Sequence, residues 1–195
     1  MKVTGVIQAG GRSTRMGGSP KALMTLGGRR LIERVLAALS PVVDEVLVVT
    51  NTPALYAFLG LPMVSDVLPD HGSLGGIYTG LRAATGEAAL TVACDMPFLT
   101  PEVARLVVAR AGEGDVVIPR VGAQFETMHA LYAKSCLPPM EACLRAGQLR
   151  IVGFFDRVRV VEIPEHEVAR FGDPSVIFMN VNTPEDLARA EASLR

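Results

Sequence analysis

Short apolar runs that alternate with helix-spaced segments most constrain the fold of this chain. Val3–Gln8, residues 45–50, Ala88–Ala93 and residues 115–119 are runs of strand length, rich in Val, Leu, Ile and Ala. Between them, apolar residues recur three and four apart, as at Leu31, Val35, Leu36 and Leu39, and again at Leu74, Ile77, Tyr78 and Leu81 within residues 74–85. A strand that is apolar on both faces must be covered on both, and parallel neighbours need crossover helices. The pattern predicts a mostly parallel central sheet with helices on either side.

The rest of the chain extends this reading. A short extended piece is expected at residues 62–65 and a helix at residues 101–111, with Thr100 as its cap and Pro101 in its first position. After residue 120 the spacing predicts strands at residues 127–133, 158–163 and 176–181 and a helix at residues 134–146. Thr183-Pro184-Glu185-Asp186 reads as the opening of a last helix, capped by Thr183 with acids in its first turn. There is no repeat, low-complexity tract or long linker, so the 195 residues are read as one domain, a Rossmann-like three-layer α/β sandwich. Sheets of this kind bind ligands at the carboxyl ends of their strands, which gathers the loops after Gln8, Thr50, Ala93 and Val181.

Composition narrows the function classes. Hydrophobic residues make up 49% of the chain, enough for a substantial core, and mean hydropathy is +0.33. No apolar run reaches the roughly 18 residues of a membrane span, and the N-terminal apolar stretch is too short for a signal peptide, so a cytoplasmic protein without a membrane partner is expected. A net charge of −1 and an aromatic content of 5% without Trp argue against a nucleic-acid surface. Cys94, Cys136 and Cys143 lack CxxC spacing and read as reduced thiols.

The segment from Gln8 to Lys21 carries the strongest chemical signal. Gly10 and Gly11 directly follow the first strand, and Arg12, Arg15 and Lys21 add positive charge. Glycines let the backbone approach a ligand, and successive amides make an anion-binding concavity. A triphosphate is a sensible ligand, against the plainer reading of a solvated turn. Neither GxxxxGK[ST] nor GxGxxG is present, so the loop belongs neither to an ordinary P-loop nor to a dinucleotide fold. Asp95, at the end of the strand Ala88–Ala93, is placed to hold Mg²⁺ with phosphate oxygens and water completing the shell, or simply to cap a turn. Asn180 and Asn182, two residues apart on an expected strand, point to one face.

These motifs together resemble the MobA family, the molybdenum cofactor guanylyltransferases. Ala9-Gly10-Gly11, Arg15-Met16-Gly17 and Lys21 match AGGxxxRMGxxK, Cys94-Asp95-Met96-Pro97-Phe98 resembles the metal-binding aspartate segment, and the run from Asn180 to Leu187 resembles the C-terminal signature. Gln8 departs from the family, where leucine is usual, and Ser73 stands where the related segment has proline.

The resemblance implies one nucleotidyltransferase domain over residues 1–195, its N-terminal half binding nucleotide and its C-terminal half the acceptor. It implies GTP and molybdopterin as substrates, Mg²⁺ as cofactor, and contacts with a molybdopterin donor and an apo-enzyme. Arg15, Lys21 and Asp95 are then catalytic, and Asp95 is the metal ligand. Gln8, Ala9, Gly10, Gly11, Lys21, Asn51, Asp66, Gly72, Gly76 and Asp95 are expected to touch the nucleotide. His129, Arg150, Asn180 and Asn182 are expected near the acceptor. Left open at this point are transfer from CTP, an acceptor that is a sugar or alcohol phosphate, and a nucleotide-sensing module without chemistry.

Overall fold

The computed structural model describes residues 1–10 and 20–194. Ten strands occur among them: β1 (Val3–Gln8), β2 (Thr25–Leu26), β3 (Arg29–Arg30), β4 (Glu45–Val49), β5 (Met63–Val64), β6 (Ala88–Ala93), β7 (Val116–Val121), β8 (Gln124–Phe125), β9 (His129–Ala133) and β10 (Val160–Pro164). The α-helices are α1 (Leu31–Leu39), α2 (Gly72–Ala83), α3 (Pro101–Val108), α4 (Leu137–Arg145), α5 (Glu165–Val168), α6 (Pro174–Ile177) and α7 (Pro184–Ala192). The main sheet has the order β10-β7-β9-β6-β1-β4-β5, with β8 added to β7. Only β9 and β8 run antiparallel to their neighbours, so the expected α/β sandwich with a mostly parallel sheet is what forms.

The strands are buried on both faces because alternate side chains enter two separate cores. Val3 and Ile7 of β1 join Ile32, Val35 and Leu39 of α1 and Val103 and Val107 of α3. Val6 faces the other way, among Leu74, Ile77 and Leu81 of α2 and Met140 and Leu144 of α4. A third, smaller cluster of Leu26, Leu31, Val181 and Ala190 seats α7 against the β2–β3 hairpin, which the sequence reading did not anticipate.

Two glycines set how closely α2 lies on the sheet. A Cβ at Gly80 would stand 2.3 Å from Val6 Cγ1, and one at Gly76 would stand 2.5 Å from Gln8 Oε1. They sit four apart, on the helix face that meets β1. The helix therefore rests almost on the strand, and its first turn reaches the strand's carboxyl end. At its other end, Lys134 Nζ donates to the carbonyls of Leu81 (2.6 Å) and Ala84 (2.8 Å), capping the last turn with a positive charge.

The expected caps form. Thr100 accepts from the Val103 amide, and Thr183 and Asp186 make a reciprocal capping box. One element differs. Residues 176–181 were expected to be a strand, but Asp173 accepts from the Ser175 amide at 2.8 Å and Pro174 opens the short helix α6. Beyond it, Val181 N–H donates to Asp95 O at 2.9 Å with no ladder on either side. A local cap and an N1 proline outweighed the apolar run.

Candidate active site

Parallel strands β6, β1, β4 and β5 end side by side, and the chain leaving β1, β4 and β5 lines a cavity of about 880 Å³. Gln8, Ala9 and Gly10 line it from the end of β1, Asn51 from the end of β4, Asp66 from the loop after β5, and Gly72 and Gly76 from α2. Seven of the residues expected to touch a nucleotide thus share one cavity. Gly11 and Arg15, with Arg12, lie outside the described residues.

The backbone at the end of β1 is largely committed. Ala9 N–H donates to Val49 O (2.9 Å), and Gln8 O accepts from Cys94 N–H (3.1 Å). Gln8 therefore offers the cavity mainly its side-chain amide, which lies over bare Gly76 with Nε2 3.4 Å from Ser73 O. Gly76, with no Cβ, leaves room for that side chain. Asn51 Oδ1 accepts from the Asp66 amide (2.9 Å), so two expected nucleotide contacts also hold each other in place.

The cavity wall has an unusual backbone. Asp70 is the one non-glycine residue with positive φ among the described residues, at 65°, and Gly72 follows at 61°. This bend turns the chain out of the β5 loop and into α2, bringing Asp70, Gly72 and Ser73 to the cavity. Sequence reasoning missed the facing wall: Leu55 and Tyr56 line the cavity from a 3₁₀ helix at Pro53–Leu59, and Thr52 from the position just before it. The run Thr50-Asn51-Thr52-Pro53 just past a strand was the available signal.

Next to the cavity lies a charged cluster. Pro20 lines the cavity, and Lys21 follows it. Lys21 Nζ donates to Asn182 Oδ1 at 2.5 Å. Burial raises the Asp95 carboxyl above its ordinary range, and the Lys21 charge pulls it back down. The backbone bond from Val181 to Asp95 ties the Asn182 segment to the same place. Lys21, Asp95 and Asn182 are therefore brought together from three distant parts of the chain. Beside them, burial and the Asp95 charge push the Cys94 thiol up to about 12, which makes it a poor nucleophile.

A divalent cation fits this donor set only in part. Among the described residues no group of three or more His, Cys, Asp and Glu side chains converges as a metal cage. Asp95 is a half-buried carboxylate, and no side-chain donor is bonded to it among the described residues. That suits Mg²⁺, which binds through one or two carboxylates when phosphate oxygens and water supply the rest. The carbonyl of Asn182 is already engaged by Lys21.

The acceptor candidates divide. Asn182 belongs to the charged cluster, and Asn180 is exposed two residues before it. Arg150 is exposed at the start of the 3₁₀ helix Ile151–Arg157 and does not line the cavity. His129 corrects the expectation. It is 0% exposed, lies edge-on to Phe178 at 5.2 Å, and neither ring nitrogen has a hydrogen-bond partner among the described residues. It faces the core side of β9, beneath the segment that carries the asparagines, and has no surface to offer an acceptor. Burial pushes its pKa down to about 3, so it is neutral there.

An open α/β sheet with a cavity at its strand ends, an acid just past one of those strands and a lysine against it defines a nucleotide-binding protein of the transferase type. Comparison with known proteins agrees. The MobA-like NTP transferase domain matches residues 5–162, and the chain belongs to that family. It is 40% identical to the molybdenum cofactor guanylyltransferase of Cereibacter sphaeroides, across 100% of this chain and 98% of that one. It is 37% identical to the molybdenum cofactor guanylyltransferase of Desulfosudis oleivorans, across 99% and 96%. The solved structure of molybdopterin-guanine dinucleotide biosynthesis protein A from Archaeoglobus fulgidus superposes with a TM-score of 0.82 at 30% identity, covering 98% of each chain.

Proposed function

We propose that the chain transfers GMP from GTP to the phosphate of molybdopterin, releasing pyrophosphate and forming molybdopterin guanine dinucleotide. The observation that supports this most is the adjacency of two things: a cavity of nucleotide size at the strand ends, and the Lys21–Asp95–Asn182 cluster beside it. The names of the relatives point to the same base and acceptor.

In this reading the base and ribose occupy the cavity between Gln8, Asn51, Asp66 and Gly76, and the triphosphate runs toward Lys21. An oxygen of the acceptor phosphate attacks the α-phosphorus of GTP, a new P–O bond forms, and the bond to the β-phosphate oxygen breaks to release pyrophosphate. The attacking oxygen is already anionic, so no general base is needed. Catalysis then consists of alignment and charge neutralisation. Lys21 offsets charge on the phosphates, with Arg15 assigned the same task. Asp95 would hold Mg²⁺, which supplies charge neutralisation at the reacting and leaving phosphate oxygens. Asn182 and Asn180 border the acceptor side. Arg150 stays a candidate for the acceptor phosphate, and the setting proposed is the cytoplasm, with a molybdopterin donor and an apo-enzyme as protein partners.

Pyrophosphate release measured with molybdopterin and each of GTP, CTP, ATP and UTP, with Mg²⁺ or with a chelator, tests this. GTP with Mg²⁺ is expected to give turnover and the guanine dinucleotide by mass. Preference for CTP would reassign the base, and activity retained in chelator would remove the metal.

A further inference from the structure

Asp66 is held unusually firmly, and one of the residues holding it lies outside every expected site. Its Oδ1 accepts from Thr79 Oγ1 at 2.8 Å and from Leu68 N–H at 3.1 Å. Thr79 Oγ1 in turn accepts from Val67 N–H at 3.1 Å. Asn51 Oδ1 fixes the Asp66 amide from the other side. Thr79 is buried, 1% exposed, in the middle of α2. A helical threonine commonly returns its hydroxyl proton to the carbonyl four residues back. Here that proton goes to a carboxylate on a different element.

We propose that Thr79 is a positioning residue for nucleotide binding. It orients Asp66 by saturating Oδ1, and this leaves Oδ2 as the acceptor available to a donor on the bound nucleoside. The inference rests on the reading that Asp66, a lining residue of the cavity, contacts the nucleotide. Its physical basis is rigidity. Thr79 sits on the helix that Gly76 and Gly80 let down onto β1, so the hydroxyl is fixed relative to the strand that forms the cavity floor. A carboxylate fixed before binding loses no side-chain freedom when the ligand arrives, and an unfixed one does. Thr79 touches no substrate, so its loss acts on affinity and not on the chemical step.

The test compares Thr79→Val, Thr79→Ser, Asp66→Ala and the double variant Asp66→Ala/Thr79→Val. GTP affinity in Mg²⁺ is read by calorimetry, and KM and kcat by pyrophosphate release. Thr79→Val is expected to weaken GTP binding about tenfold, the size of one charge-assisted hydrogen bond, to raise KM in step, and to leave kcat within about twofold. Thr79→Ser, which keeps the hydroxyl, is expected to restore affinity. The double variant is expected to bind no more weakly than Asp66→Ala alone, because Thr79 acts through Asp66. Should Thr79→Val fail to fold, Thr79→Ala replaces it in the same cycle. Weakened binding in Asp66→Ala with unchanged binding in Thr79→Val overturns the positioning role and leaves the nucleotide reading standing, as does an additive double variant. Unchanged binding in Asp66→Ala overturns the nucleotide reading of Asp66 and this inference with it.

Discussion

The two ends of the central sheet treat their carboxylates in opposite ways. At the amino ends of the strands, Glu45 accepts from Thr4 Oγ1 (2.7 Å), Thr85 Oγ1 (2.7 Å) and the Thr85 amide (2.9 Å), with Lys2 nearby. These bonds hold its pKa down at about 2. At the carboxyl ends, Asp95 is more buried and has no side-chain donor of this kind among the described residues, and burial raises its pKa. Both are acids at the end of a buried strand. Glu45 is held by two hydroxyls and an amide, whereas Asp95 has, among the described residues, only a backbone hydrogen bond and the Lys21 charge. A partly buried charge with few hydrogen-bond partners costs stability, and it persists where a ligand supplies more of them.

The most severe way to break this comparison is at Asp95. Asp95→Ala is expected to lower GTP turnover by roughly 10³-fold, about 4 kcal/mol in the barrier. Stability should be unchanged or slightly raised, since the fold gives up a carboxylate whose charge burial disfavours. Pyrophosphate release and thermal melting read the two effects. Near-normal turnover would remove Asp95 from the proposed chemistry, and a large loss of stability would make it a structural acid like Glu45.

His129 sharpens the contrast, because it is a buried polar group that no ligand can reach. Its folded pKa, about 3, lies below the ordinary 6.5. The unfolded chain therefore binds an extra proton between these values, and stability falls as the pH drops below 6.5 toward 3. The loss relative to pH 8 is about 2 kcal/mol by pH 5, from the slope of roughly 1.4 kcal/mol per pH unit. His129→Leu is expected to remove that acid sensitivity and leave GTP turnover near normal. Urea melts at pH 8 and pH 5 check the first part. A steep drop in turnover at constant GTP affinity would return His129 to the acceptor side.

How far the sequence foretold this arrangement follows from where each signal resides. β1, β4 and β6 were readable because their side chains are apolar on both faces, a property of the strand itself. Gly10 and Asp95 stood out in the sequence because each comes two residues past a strand, where the fold class places ligands. Residues 176–181 were misread because Asp173 and Pro174, a cap and an N1 proline, decide the structure just upstream of the apolar run. The setting of His129 stays open in the sequence, between an acceptor contact and a core histidine, because spacing along β9 shows which residues share a face and not whether that face meets a cleft or the Phe178 ring. Thr79 and Tyr56 were invisible. Their roles depend on contacts with the β5 loop and the cavity that exist only once the chain is folded.

The smallest effect belongs to Glu45, and it tests the satisfied side of the comparison. Glu45→Gln keeps the side-chain shape and a carbonyl oxygen for the two threonines but removes the charge that strengthens those bonds. The side chain is 31% exposed, so solvent screens part of the effect, and the expected loss at pH 7 is about 1 kcal/mol. The folded pKa is depressed, so the charge's contribution is complete above pH 4.5 and declines as the pH falls toward 2, where both forms of residue 45 are neutral. The gap between the urea midpoints of the two proteins should therefore be widest at neutral pH and narrow steadily below pH 4.5, with GTP turnover unaffected throughout. A gap that stays constant into acid would assign the loss to altered packing around Thr4 and Thr85. No gap at pH 7 would mean that the amino ends of the strands hold their carboxylate no more tightly than the carboxyl ends do.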